Sequence, residues 1–330
     1  MAELDADLLI IGAGPAGLTA AQYGARANLP ALVLEQLAPG GQALLIDRLE
    51  NYPGCLPGAE GEIKSGFDFS QDLYRQAESF GARFMTESAL SITAETGGNN
   101  SRYFAAALGN AKTLRALAVI IATGSKHRTL DIPGEAELYG RGVSYCATCD
   151  GPFFKGKRIF VVGGGDAACD EARYLSNLTD TVVMIHRRDR FRAQKVLAER
   201  TLKNPRIEVR FNTRILEIRG TNSAGGDHVS SVLLERVDRR EQYEESADAV
   251  FIFAGTLPQS SLINQLGVKT DENGYIITDQ SMASSVPGIF AAGDVRSGAF
   301  RQVVVAAGEG AAAAHSAVLY IDALKGEAYT

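Results

Sequence analysis

The chemistry in this chain is most concentrated at Cys146-Ala147-Thr148-Cys149-Asp150. Two cysteines at i and i+3 on a helical turn place their Cβ atoms about 5–6 Å apart. A modest adjustment then closes a disulfide. Pairs with this C-x-x-C spacing commonly have one thiol of lowered pKa, so one sulfur is a thiolate near neutral pH. Asp150, next in sequence, is a candidate proton donor and acceptor for an outgoing thiol. The rival readings are a zinc site and a pair of inert thiols. Zinc needs two more ligands. No second C-x-x-C exists, and His127, His186, His228 and His315 show no ligand spacing. The favoured reading is a redox pair, with no metal. Cys55 and Cys169 stand alone, and Cys169 reads as a small buried residue.

A redox pair needs electron carriers, and two glycine-rich turns supply candidates. The apolar run Asp7–Ile11 leads into Gly12-Ala13-Gly14-Pro15-Ala16-Gly17 and a helical stretch Leu18–Arg26. A second apolar run, Ala31–Leu34, ends at Glu35, 23 residues after Gly12. This is a βαβ start. Its glycines allow a tight turn, close approach of a pyrophosphate and close helix–strand packing. The helix N-terminus offers free N–H groups to the phosphates, and Glu35 can accept from ribose hydroxyls. A purely structural glycine turn is the bland alternative. The pattern recurs at Arg158–Val162, then Gly163-Gly164-Gly165-Asp166-Ala167-Ala168, a helix through Leu175, and a strand Thr181–Ile185. After that strand come His186-Arg187-Arg188, with Arg192 close behind. Arg187 stands 24 residues after Gly163, essentially the register of Glu35. A carboxylate there repels a 2′-phosphate, whereas arginines bind it through paired donors. The first fold is therefore expected to hold FAD or NAD and the second NADP. A solvated basic helix edge is the alternative for the arginines.

The C-terminal region fits a flavin. Gly288–Val295 is an apolar strand ending in Gly293-Asp294, where Gly293 admits a ligand to the backbone and Asp294 can reach a ribityl or pyrophosphate group. Arg301-Gln302 precede a small-residue helix, roughly Val303–Tyr320, whose dipole could stabilise negative charge on a reduced flavin. Ala122-Thr123-Gly124 and Phe253-Ala254-Gly255 look like the two crossings between domains. The expected architecture is α/β with two Rossmann-like dinucleotide-binding domains. The NADP domain (125–252) carries the C-x-x-C and is inserted into a discontinuous FAD domain (1–124 and 253–330).

Composition agrees. With 330 residues, 45% hydrophobic and 22% charged, the chain is long enough for two domains with real cores. Net charge is 33 − 39 = −6, which speaks against nucleic acid. Met1–Asp7 holds Glu3, Asp5 and Asp7 and no base, unlike an export signal. The 18-residue uncharged stretch Leu8–Ala25 is broken by Gly12, Gly14, Pro15, Gly17 and Gly24, so no membrane span is expected. Four cysteines with one functional pair fit a cytoplasmic protein.

Over nearly its whole length the chain resembles the bacterial low-molecular-weight thioredoxin reductases. The matching segments are Gly12–Gly17, Gly40-Gly41-Gln42, Glu50-Asn51-Tyr52-Pro53-Gly54, Cys146–Gly151, Gly163–Ala172, His186–Ala193, and Gly288–Val295 followed by Arg301-Gln302. The resemblance implies a homodimer passing electrons from NADPH to FAD, to the Cys146–Cys149 disulfide, and on to thioredoxin. It implies that Cys149 is the flavin-side sulfur and that Cys146 attacks thioredoxin's disulfide, with Asp150 as acid/base. FAD contacts are implied for Gly12, Gly14, Pro15, Ala16, Gly17, Glu35, Gly41, Gln42, Asn51, Thr123, Gly124, Gly293, Asp294, Arg301 and Gln302. NADP contacts are implied for Gly163, Gly165, Asp166, Ala167, His186, Arg187, Arg188 and Arg192. Because nicotinamide and disulfide must both reach one flavin, the inserted domain is expected to swing about its crossings. Two segments depart from the pattern. Cys55–Gly66 is longer and reads as a surface loop. The tail ends in Tyr329, either a frayed terminus or an aromatic stacking on a partner subunit's flavin. The rivals are a related enzyme fed by ferredoxin or another donor, a ferredoxin–NADP reductase, which the Cys pair argues against, and a redox sensor without turnover.

Overall fold

A computed structural model of the chain describes residues 4–46, 49, 51–56, 62–97, 102–221, 228–298 and 300–327. Contacts divide it into two units, Met1–Lys126 with Leu257–Thr330, and His127–Thr256.

The first unit opens with strand β1 (Ala6–Ile11), helix α1 (Pro15–Arg26) and β2 (Ala31–Glu35). Helix α2 (Gly66–Ser79) leads to β3 (Arg83–Thr86), β4 (Ala89–Thr96), β5 (Arg102–Leu108) and β6 (Thr113–Ile121). Strands lie in the order β3-β2-β1-β6-β5-β4. Parallel pairing links β3, β2, β1 and β6, and β4 and β5 are antiparallel. Successive side chains of a strand face opposite sides, and both sides of β1 are covered. Leu8 and Ile10 pack with Leu18, Ala314 and Ala317, and Leu9 and Ile11 with Ile92 and Phe104. A strand buried on both faces needs a continuous apolar run, which is why the sequence there does not alternate.

The crossings are two short strands, β7 (Ser125–His127) before the second unit and β16 (Thr256–Pro258) after it. Between them lie β8 (Val143–Ser144), α3 (Ala147–Asp150), β9 (Ile159–Gly163), α4 (Asp166–Leu175), β10 (Val182–Ile185), α5 (Lys195–Leu202), β11 (Ile207–Arg210), β12 (Thr213–Thr221), β13 (His228–Arg236), β14 (Glu241–Ser246) and β15 (Ala249–Phe253). An all-parallel sheet runs β11-β10-β9-β15-β8, and β12-β13-β14 form an antiparallel sheet. Ile159 and Val161 of β9 pack on Ala168 and Ala172 of α4, and Phe160 packs on Val232 and Leu234 of β13. The division falls beyond residues 124 and 252. Phe253 pairs with Gly163 as the last residue of β15, so its hydrogen bonds hold it in the second unit's sheet.

After β16 the chain re-enters the first unit through β17 (Ile289–Ala291), parallel to β6 along Val119–Ile121. Helix α6 then spans Val303–Lys325, five residues longer than the expected end at Tyr320, because Ala317 and Ile321 continue its buried face. Gly326 ends it at φ +73°, where glycine is favoured. Among the described residues α6 is the one helix long and apolar enough to cross a membrane. It packs instead against α1: a Cβ at Gly310 would lie 2.1 Å from the Ala16 carbonyl oxygen. Glu50, Pro57–Gly61 and Tyr329 lie outside the described residues.

Candidate active site

Cys146 is the N-cap residue of α3, and its sulfur is bonded to that of Cys149 with the two Cα atoms 5.3 Å apart. The Cys149 N–H donates to the Cys146 sulfur at 3.2 Å, and the Thr148 hydroxyl lies 3.5 Å from it. These dipoles would stabilise negative charge on Cys146 once the disulfide opens. Ser144, which sequence reading missed, organises the turn. Its buried hydroxyl donates to Asp150 Oδ2 at 2.5 Å and accepts the Cys146 N–H at 3.0 Å. Asp150 is thereby held on the same turn as both sulfurs. The signal for Ser144 was its place in β8, immediately before the motif. Cys169 is buried as expected, and burial pushes its thiol pKa up.

In the first unit the glycine turn is packed tightly on one side and open on the other. A Cβ at Gly17 would lie 1.8 Å from the Gly12 carbonyl oxygen, and one at Gly12 2.5 Å from that of Ala122. Gly12 also adopts φ +100°. Gly14, the N-cap of α1, meets nothing within 4 Å and carries no capping side chain, and Pro15 takes the first helical position. An open space before uncapped helix amides is what a pyrophosphate requires, so the residues fit FAD. Two contrasting outcomes follow. Gly17→Ala should lower stability by about 1–3 kcal/mol through overpacking. Gly14→Ala should melt like the parent yet bind FAD at least about tenfold more weakly. Equal FAD affinity for Gly14→Ala and parent, measured by flavin fluorescence, would refute the cradle.

Of the other expected FAD residues, Glu35, Gly41, Thr123 and Gly293 lie against this turn. Glu35 Oε2 accepts the Ala13 N–H at 2.9 Å, which sets the carboxylate over the glycine loop. Gly41 approaches Gly14 so closely that its Cβ would lie 3.0 Å from the Gly14 Cα. Gln42 Nε2 donates to the Ser125 carbonyl, and Asn51 Nδ2 donates to Gln302 Oε1 at 3.0 Å. The Thr123 hydroxyl donates to the Gln259 carbonyl at 2.6 Å, while Gln259 returns bonds to the carbonyls of Thr123 and Gly124 at 2.7 and 2.9 Å. Gln259 is a second residue that sequence reading missed. Gly293 takes φ +75°, beside Ala16. Burial pushes the Asp294 carboxyl up. The Arg301 guanidinium sits 4.3 Å above the Tyr275 ring, so it supports the pocket wall.

The second unit repeats the cradle. Gly165 caps α4 with nothing within 4 Å of its Cβ position, while a Cβ at Gly163 would lie 2.6 Å from Ala168. Ala167 lies in the first turn of α4. Asp166 accepts from the Gln194 N–H and Nε2 at 2.7 and 2.9 Å, and the Arg192 N–H donates to the Gly164 carbonyl at 2.7 Å. These bonds tie the arginine loop to the glycine loop. His186 is buried beneath: a Cβ at Gly164 would lie 2.4 Å from its ring. Burial, then Arg192, Arg188 and Arg187, push its pKa down, so the ring is a neutral wall. Arg187, Arg188 and Arg192 are exposed. Among the described residues no carboxylate pairs with them. Arg188, Arg190 and Arg192 line an open pocket of about 610 Å³ with Asp189, Phe191 and Asn212, so its cations outnumber its one carboxylate. Unpaired guanidiniums at this place suit a 2′-phosphate, so the residues fit NADPH.

Glu171 on α4 has a sealed Oε2 with no partner, and burial pushes its carboxyl up to about 7, with Asp170 adding to the effect. Its folded pKa lies above the unfolded one. Stability is therefore full below about pH 4.5 and declines as pH rises through 7. Glu171→Gln removes that decline. It should raise the melting temperature at pH 8, by up to about 3 kcal/mol in stability, and much less at pH 5. Equal shifts in melts at both pH values would contradict this.

Residues 6–310 match the family described as pyridine nucleotide-disulphide oxidoreductase. The chain is 52% identical to a thioredoxin reductase of Treponema pallidum over 98% of this chain and 99% of that one. It is 43% identical to a thioredoxin reductase of Listeria innocua over 97% and 95%. Among solved structures, the thioredoxin reductase of Streptococcus pyogenes is similar with a TM-score of 0.82 at 40% identity, covering 96% of this chain and 98% of that one.

Proposed function

Because the chain belongs to the pyridine nucleotide-disulphide oxidoreductase family, and is similar along its length to thioredoxin reductases, we propose that it reduces thioredoxin. The electrons come from NADPH by way of FAD and the Cys146–Cys149 disulfide. The observation that carries this reading is that disulfide, closed across one turn with Asp150 fixed beside it through Ser144.

Bound FAD supplies two-electron transfer between the nicotinamide and the disulfide. An electron pair entering that disulfide breaks the S–S bond and leaves two sulfurs sharing one proton. Cys146, whose negative charge is stabilised by the Cys149 N–H, attacks one sulfur of thioredoxin's disulfide. Asp150 carries the proton shared by the two sulfurs to the thiolate expelled there, which leaves Cys149 as a thiolate. Cys149 then attacks Cys146, expels thioredoxin's second sulfur and restores the starting disulfide. Arg187, Arg188 and Arg192 hold the 2′-phosphate that distinguishes NADPH from NADH. An enzyme fed by ferredoxin would have no use for that unpaired cluster. Steady-state NADPH oxidation that depends on added thioredoxin tests the reading, and NADPH oxidation indifferent to thioredoxin would refute it.

The same reading extends to a homodimer working in the cytoplasm, without nucleic acid or membrane partners. The net charge of −6 supports the former exclusion, and thiol chemistry driven by NADPH suits a reducing compartment. A monomer of about 35 kDa by sedimentation would remove the dimer.

A further inference from the structure

We propose that Arg296 and Glu309 shift the midpoint potential of the bound flavin in opposite directions, so that their ion pair cancels two opposed biases. The inference rests on the FAD assignment of the first unit.

Arg296 Nη1 lies 2.5 Å from Glu309 Oε1, and only 17% and 15% of the two side chains is exposed. Both charges are fixed in place. Glu309 Oε2 accepts the Gly293 N–H at 2.8 Å, and Arg296 Nε donates to the Thr278 hydroxyl at 3.0 Å. Arg296 and Glu309 line one small pocket with Gly293, Asp294, Phe300 and Arg301. Gly293, Asp294 and Arg301 are among the residues for which the resemblance implies FAD contacts. The pair therefore faces the cofactor's side of the fold.

Electrostatics give each partner a sign. Reduction adds negative charge to a flavin, so a nearby cation favours it and a nearby anion opposes it. Low-dielectric surroundings enlarge both effects. Glu309 is felt at this pocket: it helps raise the Asp294 carboxyl, while Arg301 lowers it. Glu309 is also the seventh residue of α6, whose uncapped N-terminus carries positive potential toward the same place. Its carboxylate offsets that potential, and Arg296 in turn offsets the carboxylate. The matched pair adds little net charge of its own beside the flavin, and each half alone biases it.

The test is a spectroelectrochemical titration of the purified holoprotein and its variants with reference dyes. Glu309→Gln should raise the flavin potential and Arg296→Gln should lower it. Each is expected to change the ratio of reduced to oxidised flavin about tenfold at fixed potential, which is about 30 mV for a two-electron couple. Arg296→Lys, which keeps the charge, and the double variant Arg296→Gln/Glu309→Gln should both stay near the parent value. A merely structural role would move the single variants in the same direction, or move Lys as far as Gln, and either result overturns the proposal. So would unchanged potentials in single variants that retain FAD. A parent protein that binds no FAD would instead overturn the cofactor assignment, and this inference with it.

Discussion

Replacing Cys146 with serine is expected to abolish thioredoxin reduction, by about 10³-fold or more, while NADPH still bleaches the flavin. Cys146 is the sulfur whose charge the Cys149 amide and the Thr148 hydroxyl can stabilise, and serine in its place cannot attack a disulfide. The nucleotide cradles of both units are built from other residues, so hydride transfer to the flavin is left intact. Cys149→Ser should also block turnover, but for a different reason. Cys146 then remains a free thiol able to form a mixed disulfide with thioredoxin, and nothing resolves it. A trapped Cys146–thioredoxin adduct in Cys149→Ser, and none in Cys146→Ser, would separate the two roles on a non-reducing gel. Thioredoxin turnover surviving in Cys146→Ser would refute the assignment.

The second large effect concerns coenzyme choice. Replacing Arg187 and Arg188 together with alanine should raise the KM for NADPH about 10²-fold, since two charge-assisted hydrogen bonds at the low end of their range contribute about 3 kcal/mol. The KM for NADH should change by less than about threefold, because NADH lacks the 2′-phosphate those arginines are proposed to hold. Neither side chain is paired with a carboxylate among the described residues, and both are exposed. Their loss therefore leaves no buried charge unpaired, and stability should be nearly unchanged. Equal effects on the two coenzymes would remove the 2′-phosphate role.

What could be read in the sequence was what chemistry compresses into short spacings. The two glycine turns, the acid after one and the arginines after the other, and the C-x-x-C all lie within single βαβ units or single turns. Their spacing alone fixes where they sit. Gln259 and the Arg296–Glu309 pair could not be read this way, because each acts on a partner supplied by the fold, whereas Ser144 lies two residues before Cys146 and was simply overlooked. Gln259 meets Thr123 across 136 residues of sequence, and Glu309 meets Gly293 across 16. His186 shows a related limit. The resemblance implies an NADP contact for it, and the fold sets the imidazole at the end of β10 against Gly164 with the arginines exposed, a packing that spacing does not reveal. The crossings were misplaced by a few residues because β7 and β16 are three residues each, too short for a pattern.

The relay itself is tested most directly by anaerobic titration of the holoprotein with NADPH, followed by flavin absorbance and thiol counting. A flavin and a disulfide in series each accept one electron pair, so the parent should consume about two equivalents per chain and gain two thiols. Cys146→Ser/Cys149→Ser should consume about one and gain none. A parent that stops at one equivalent, with Cys146 and Cys149 still joined, would contradict electron flow through the disulfide.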